Sequence, residues 1–488
     1  MTDLSKIYKS NLSLLTDLYQ ITMAYGYWKN NKHEQEAVYE LYFRKNPFGG
    51  GFSISAGLAT VIDYLENWTF EAAEIKYLAS LKNPSGSPMF EKGFLDYLEQ
   101  MKFSCSVEGI PEGEIIFPFE PVLKVRGPLL QAQLIETPLL TLINFQTLIA
   151  TKAARLKLAT DGDTILEFGL RRAQGIDGGL SATRAAFVGG VDATSNVQAG
   201  MLFGIPVKGT HAHSWILSFD EEVEAFEAFA KAMPENTILL VDTYDTLEGV
   251  ASAIETMKKL RSKNILFHGI RLDSGDLAYL SIEARKMLDQ AGFTATKIVA
   301  SNDLDEYIIQ SLKNSQNAKI DIWGVGTKLV TAYDQPALGG VYKLTNIKNQ
   351  DGKWESKIKL SEQAIKVTTP GDHQIVRFYK NGKMRGDMVF DVHLGQDAEY
   401  FVDPTDVTRR KKIKIDWDEK LLLEPIFEKG KKVYQSPSLV EIRENTLQNM
   451  MTLDDSVKRF THPHHYTVGL EPKLDEKKRQ MIHTLRKH

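Results

Sequence analysis

Ile238-Leu239-Leu240-Val241-Asp242 is a short, β-rich apolar run that ends in a polar cluster, Asp242-Thr243-Tyr244-Asp245. Residues 246–262 follow as an amphipathic helix. Asp245 and Glu248 stand at its start and Lys258, Lys259 and Arg261 near its end, which matches the helix dipole. The same pairing recurs on both sides. Its other apolar runs are Thr164–Phe168, Ile205–Gly209, Phe267–Arg271, Lys297–Ala300 and Ile320–Gly324. Their starts lie roughly 25–40 residues apart, the length of one strand–helix unit. Residues 219–232 put Val223, Phe226 and Ala230 on one stripe, with Ser218 and Glu221 spaced as a capping box. Successive β-then-α units imply a parallel sheet, and six or more favour an α/β barrel over a doubly wound open sheet, although the sequence admits both.

The flanks read differently. Residues 1–150 combine an N-terminal helix with strand-like pieces, Ala37–Arg44 and Ile115–Val125, and suggest an N-terminal α/β lobe that C-terminal segments could complete. Residues 151–345 make the barrel. Residues 346–488 form a C-terminal extension with turn signals at Asn349-Gln350-Asp351-Gly352 and Asn381-Gly382, then a lysine-rich tail. At 488 residues the chain exceeds what one core usually supports, so more than one lobe is expected. A formal charge of −4 carries no basic surplus to advertise nucleic acid. The single cysteine, Cys105, excludes an internal disulfide and any cysteine metal cluster. Met1–Lys6 lacks the features of a signal peptide, and no run reaches the ~20 apolar residues that span a bilayer. A cytoplasmic, soluble metabolic protein without membrane or nucleic-acid partners is expected.

In a parallel barrel, functional groups gather after the strands' C-terminal ends. Here those positions read Phe168-Gly169-Leu170-Arg171-Arg172, Thr210-His211-Ala212-His213, Asp242–Asp245, Arg271-Leu272-Asp273-Ser274-Gly275-Asp276, Ser301-Asn302-Asp303 and Gly324-Val325-Gly326-Thr327-Lys328. Taken singly, each has a plain structural reading: a capped turn, a surface ion pair, or one packed and one exposed imidazole. Together they place arginines, carboxylates, histidines and a glycine loop on one rim. Arginines with a glycine loop suit a phosphate-bearing anion. The carboxylates suit ribose hydroxyls, or Mg²⁺ held through waters and phosphates. Phe168 offers a stacking face. The P-loop, G-x-G-x-x-G, H-E-x-x-H and C-x-x-C patterns are all missing.

The strings Phe168–Gly175 with Gly178-Gly179-Leu180, Gly209–Ser214, Val241–Thr246, Gly269–Gly275 and Gly324–Thr327 resemble the signatures of the nicotinate phosphoribosyltransferases. Leu15–Gln20 and Tyr42–Phe48 are similar as well, so seven ordered blocks cover roughly residues 10–345. The resemblance implies a type II phosphoribosyltransferase fold, an irregular TIM-like barrel with an N-terminal lobe, usually dimeric and sharing its site across the interface. It implies transfer of phosphoribosyl from 5-phosphoribosyl diphosphate (PRPP) to nicotinate, giving nicotinate mononucleotide and pyrophosphate in the salvage of NAD. ATP hydrolysis accompanies the transfer through a phosphohistidine, with Mg²⁺ on the phosphates; the chemistry is glycosyl transfer, and the enzyme is classed as a ligase.

Residue by residue, His213 matches the phosphorylated histidine, which leaves His211 outside the motif. Asp242 would orient His213, and Asp273 would lie by the ribose or Mg²⁺–pyrophosphate. Tyr19, from a neighbouring subunit, and Phe168 would sandwich nicotinate, with Thr210 and Arg271 at its carboxylate. Arg171, Ser274, Gly275, Gly324, Gly326 and Thr327 match the PRPP phosphate positions. Asp192 would sit near the pyridine, and Arg44 and Lys45 would reach phosphates across the dimer. Direct metal ligands are not assigned. The rivals are a nicotinamide phosphoribosyltransferase, against which the Leu170-Arg171-Arg172-Ala173 wording argues, and a catalytically silent phosphosugar-binding homologue.

Overall fold

Six parallel strands carry the barrel region: β1 Thr164–Glu167, β2 Ala193–Thr194, β3 Thr237–Leu240, β4 Phe267–Leu272, β5 Lys297–Ser301 and β6 Ile322–Val325. They lie in the spatial order β2-β1-β6-β5-β4-β3, so the sequence order runs round a curled sheet. This computed structural model describes residues 11–260, 265–404, 406 and 408–486. Met1–Lys6 and Arg261, both used above, lie outside the described residues. Leu148–Pro336 forms one compact unit; the described residues of Met1–Thr147 and Ala337–His488 form another, so the residues beyond 345 share a unit with the N-terminal lobe.

Register explains the barrel core. Ile238 and Leu240 on β3 stand opposite Gly269 and Arg271 on β4, which stand opposite Lys297 and Val299 on β5. Val299 and Ser301 then face Ile322 and Gly324, which face Thr164 and Leu166. Because side chains alternate across a strand, this set shares the inner face. The other face carries Ile165, Leu239, Ile270, Leu272, Ile298, Ala300, Trp323 and Val325, all buried. Helices such as Thr246–Leu260 and Leu277–Gln290 cover such a face, each presenting an apolar stripe. Asp245 caps the first as expected, accepting from the Leu247 and Glu248 N–H groups at 3.0 Å each.

Two expectations are corrected. The helix read over 219–232 begins at Glu222 with Glu221 as its N-cap, so Ser218 stands outside any capping box, and its hydroxyl donates to the Trp215 carbonyl. The run Ile205–Gly209 is not a strand but one bridge, Val207 to Thr194. Pro206 has no N–H to extend a ladder. The barrel seam is closed there by side chains. The Thr210 hydroxyl donates to the Ile238 carbonyl, and His211 Nε2 accepts from the Leu240 N–H at 3.2 Å.

In the other unit, Glu36–Tyr42 pairs antiparallel with Leu123–Pro128 and Val341–Lys348 inside a seven-stranded sheet. The strand read over Ile115–Val125 breaks into Ile115–Ile116 and Leu123–Pro128. Pro118 and Pro121 interrupt it, and Phe119 takes φ 71°. The Asn381-Gly382 signal holds: both residues have positive φ, 52° and 70°, between His373–Lys380 and Lys383–Asp391. The lysine-rich tail is a helix, Pro472–Arg486.

Candidate active site

β1 is followed at once by Phe168, whose ring is fixed from behind. Its N–H donates to the Val325 carbonyl at 2.8 Å, and the ring lies so close to Gly324 that a Cβ there would come within 2.7 Å of it. Glu167, one residue earlier, points the opposite way and is fully buried. Its carboxylate accepts from the Gly169 N–H, from Thr183 Oγ1 at 2.9 Å and from Thr194 Oγ1 at 2.6 Å. Three donors on one buried carboxylate anchor the Gly169–Arg172 turn that projects Arg171 and Arg172. Sequence reading missed this role, since Glu167 looks like any polar residue ending a strand.

Arg271, at the end of β4, lies with its guanidinium carbon 5.7 Å from the Phe168 ring centre. Its Nε donates to Ser301 Oγ at 2.9 Å and its Nη2 to Asp273 Oδ1 at 3.0 Å. Ser301 Oγ also donates to Asp273. Burial alone would raise the Asp273 carboxyl, but the Ser301 hydroxyl and the Arg271 charge outweigh it and hold the carboxyl below its ordinary value. Asp273 therefore stays anionic at neutral pH beside the ring pocket.

The two histidines separate cleanly. His211 is buried against Phe229, with ring centres 4.6 Å apart. Its Nε2 accepts from Leu240, so the ring is neutral, and burial pulls its pKa down to about 4. His213 is 40% exposed in its side chain. Its Nδ1 meets Thr243 Oγ1 at 3.2 Å, and its Nε2 faces Asp273 Oδ2 at 3.7 Å. The sequence expectation that Asp242 orients His213 is corrected: the His213 ring meets Thr243 and Asp273 instead. Asp242 Oδ2 is taken by the Asp273 N–H at 2.8 Å and the Ser274 hydroxyl at 2.6 Å, so it shapes the turn that presents Asp273.

Two connected hollows occupy the rim. One, of about 160 Å³, is lined by three arginines, Arg171, Arg172 and Arg271, against two carboxylates, Asp273 and Asp303; Gly324, Gly326 and Thr327 complete it. The excess of positive charge suits a phosphate. Asn302 and Asp303 on its wall have φ of 111° and 41°, a conformation non-glycine residues rarely hold without a surrounding structure that enforces it. The other hollow, about 380 Å³, brings Phe168, Arg171, Thr210, His213, Arg271 and Asp273 together.

Some expected residues stand elsewhere. Ser274 and Gly275 line neither hollow: the Ser274 hydroxyl is committed to Asp242, and Gly275 supplies the positive φ, 77°, of the turn. The Thr210 hydroxyl gives its hydrogen to Ile238, so Arg271 is the group left to hold a carboxylate. Asp192 lines neither hollow. It accepts from the Ile165 N–H at 2.8 Å and Lys157 Nζ at 3.0 Å, stapling the start of β1. In the other unit, Tyr19 is half exposed, and Arg44 and Lys45 line a hollow of about 330 Å³ with His464 and His465.

A rim of this kind suits an α/β-barrel enzyme that joins a phosphorylated sugar to a flat aromatic acid. Comparison with known proteins narrows the class. Profiles of the nicotinate phosphoribosyltransferase N-terminal domain, family and C-terminal domain match residues 14–144, 164–381 and 372–478. A nicotinate phosphoribosyltransferase of Bacillus subtilis is 45% identical over 98% of this chain and 96% of its own length. One from Caenorhabditis elegans is 37% identical over 97% and 93%. The crystal structure of human nicotinic acid phosphoribosyltransferase superimposes with a TM-score of 0.81 at 30% identity, covering 96% of this chain and 99% of that one. The chain belongs to the nicotinate phosphoribosyltransferase family. No helix among the described residues is long and apolar enough to cross a membrane.

Proposed function

We propose that the protein converts nicotinate and PRPP to nicotinate mononucleotide and pyrophosphate, the first step of NAD salvage from nicotinate, with ATP cleaved through a phosphate carried on His213. The observation that carries the site assignment is that Phe168 and Arg271 line both rim hollows, so a stacked ring and a bound phosphosugar would meet there. Nicotinate lies on Phe168 with its carboxylate toward Arg271. PRPP sits with its 5′-phosphate against Arg171 and the Gly324–Thr327 loop, and its ribose by Asp273. The pyridine nitrogen forms the bond to the anomeric carbon as the bond to pyrophosphate oxygen breaks. Positive charge then builds on the ribose ring, and the anionic Asp273 lies beside it.

Holding the nucleophile in line supplies much of the acceleration. Mg²⁺ would be held mainly by pyrophosphate and water, with Asp273 and Asp303 lining the same hollow. Bound there, it would neutralise the leaving group. A phosphate on His213 adds about two negative charges close to Asp273, enough to reorganise how PRPP is held. We place Tyr19 of a second copy on the open face of the nicotinate ring, in a homodimer, and the protein in the cytoplasm.

The test is product formation by purified protein with PRPP and Mg²⁺, offered nicotinate or nicotinamide, with and without ATP. Nicotinate mononucleotide formed faster with ATP, together with ADP, is expected. His213→Ala should lose the ATP stimulation while still binding PRPP; unchanged stimulation would refute the phosphohistidine. Product from nicotinamide alone would refute the substrate assignment.

A further inference from the structure

The inner face of the barrel is underfilled. Barrels of this kind normally close their interior with layers of bulky branched side chains. Here Gly269, Ser301 and Gly324 occupy inward positions, and a hollow of about 260 Å³ remains. It runs from Phe168, Thr210 and Arg271 at the rim to Thr164, Ile238 and Lys297 at the strands' N-terminal ends. Thr164 and Lys297 face inward yet are exposed, and Ile238 is half-buried, so the far end is open to water at Thr164 and Lys297. A space of roughly 150 Å³ already accepts a benzene-sized ring. Leu166, Phe168, Ile238, Val299 and Ile322 give the wall its apolar surface; Lys208, Lys297 and Glu235 stand at the mouth, with Lys297 Nζ paired to Asp321 at 3.0 Å.

We infer that the hollow barrel is the path by which a small planar aromatic carboxylate reaches Phe168 and Arg271, from the end opposite the phosphosugar. The inference rests on the proposed reading of the rim. A phosphosugar held by Arg171, Asp273 and Gly326 lies across the rim side of the same two residues, whereas the interior reaches them from behind. The apolar side chains pass the ring, and Lys208 offers the carboxylate a cation at the mouth. PRPP and nicotinate then occupy the site without either having to leave first.

The chain suits a reversible test, because its one cysteine, Cys105, is fully buried. Thr164→Cys puts an exposed thiol at the mouth of the folded protein. It is blocked with a bulky alkyl methanethiosulfonate and released with dithiothreitol. With PRPP saturating, blocking should slow nicotinate association and dissociation about tenfold each in stopped-flow binding while leaving its Kd and the KM for PRPP unchanged, and the reductant should restore both rates. An unchanged nicotinate association rate in the fully labelled protein would overturn the path, and so would an equal slowing of PRPP binding. Unlabelled protein that makes no product would overturn the reading of the rim itself, and the path with it.

Discussion

Gly324→Ala tests the geometry of the ring pocket most directly. The new Cβ would stand 2.7 Å from Phe168 Cδ2, 2.8 Å from Cε2 and 3.3 Å from Ser301 Cβ. Carbon atoms rest roughly 3.5–4.0 Å apart, so about 1 Å must be found. Strand β6 cannot supply it cheaply, since Gly324 is laddered between Leu166 and Ser301. Ser301 is held in turn by Arg271 and Asp273. The Phe168 ring is the part that gives, and it swings into the space where nicotinate stacks. A misplacement near 1 Å costs on the order of 10²-fold in rate, about 2.7 kcal/mol at the transition state. Overpacking should cost a further ~1–3 kcal/mol of fold stability.

The assay is steady-state kinetics with each substrate varied, beside a thermal melt. The loss should fall on kcat/KM for nicotinate. Phe168→Leu in the Gly324→Ala background removes the clash, so the double variant should lose less than the two single losses combined. Wild-type kcat/KM for nicotinate in Gly324→Ala, or strictly additive losses, would refute the claim that this glycine exists to seat the ring.

His211 is neutral and buried in the native protein, with a pKa near 4 against 6.5 in an unfolded chain. The unfolded state therefore takes the proton first as pH falls. The stability this group sustains is whole above pH ~6.5 and is lost down to pH ~4, by up to ~3 kcal/mol. Urea denaturation at both ends of that window should show a smaller acid loss for His211→Gln than for the parent, and equal losses would contradict the assignment. Glu167→Gln puts an amide donor among three donors and should destabilise by ~1–3 kcal/mol, read as a lowered midpoint in the same titration; an unchanged midpoint would show that the carboxylate is not the anchor. Asp242→Asn keeps the shape but weakens the hold on the Asp273–Ser274 turn, so kcat/KM should fall about tenfold; an unaltered value would show that the turn is held without Asp242.

How far the sequence leads is set by the range over which each interaction acts. The strand-end rule found Phe168, His213, Arg271, Asp273 and the Gly324–Thr327 loop, because apolar runs and the polar clusters that end them are local signals. It left open which of the two histidines is packed and which exposed; the structure buries His211 and exposes His213. Nor could the rule show which hydrogen bond each polar group makes, because the partners come from other strands. Asp242 and Asp273 are both aspartates at strand ends, yet one serves a turn 31 residues away and the other stands in the pocket. Only the β3–β4 register, with its shift between Thr237 and Ile238, brings the Asp242 carboxylate under the Asp273 N–H and not under His213. Ile205–Gly209 misleads for the same reason: its composition is strand-like, but Pro206 offers no ladder donor and the barrel closes through Thr210 and His211. The Gly209–His213 string is thus read twice, once by the fold, which uses Thr210 and His211 to seal the seam, and once by the site, which is left with His213.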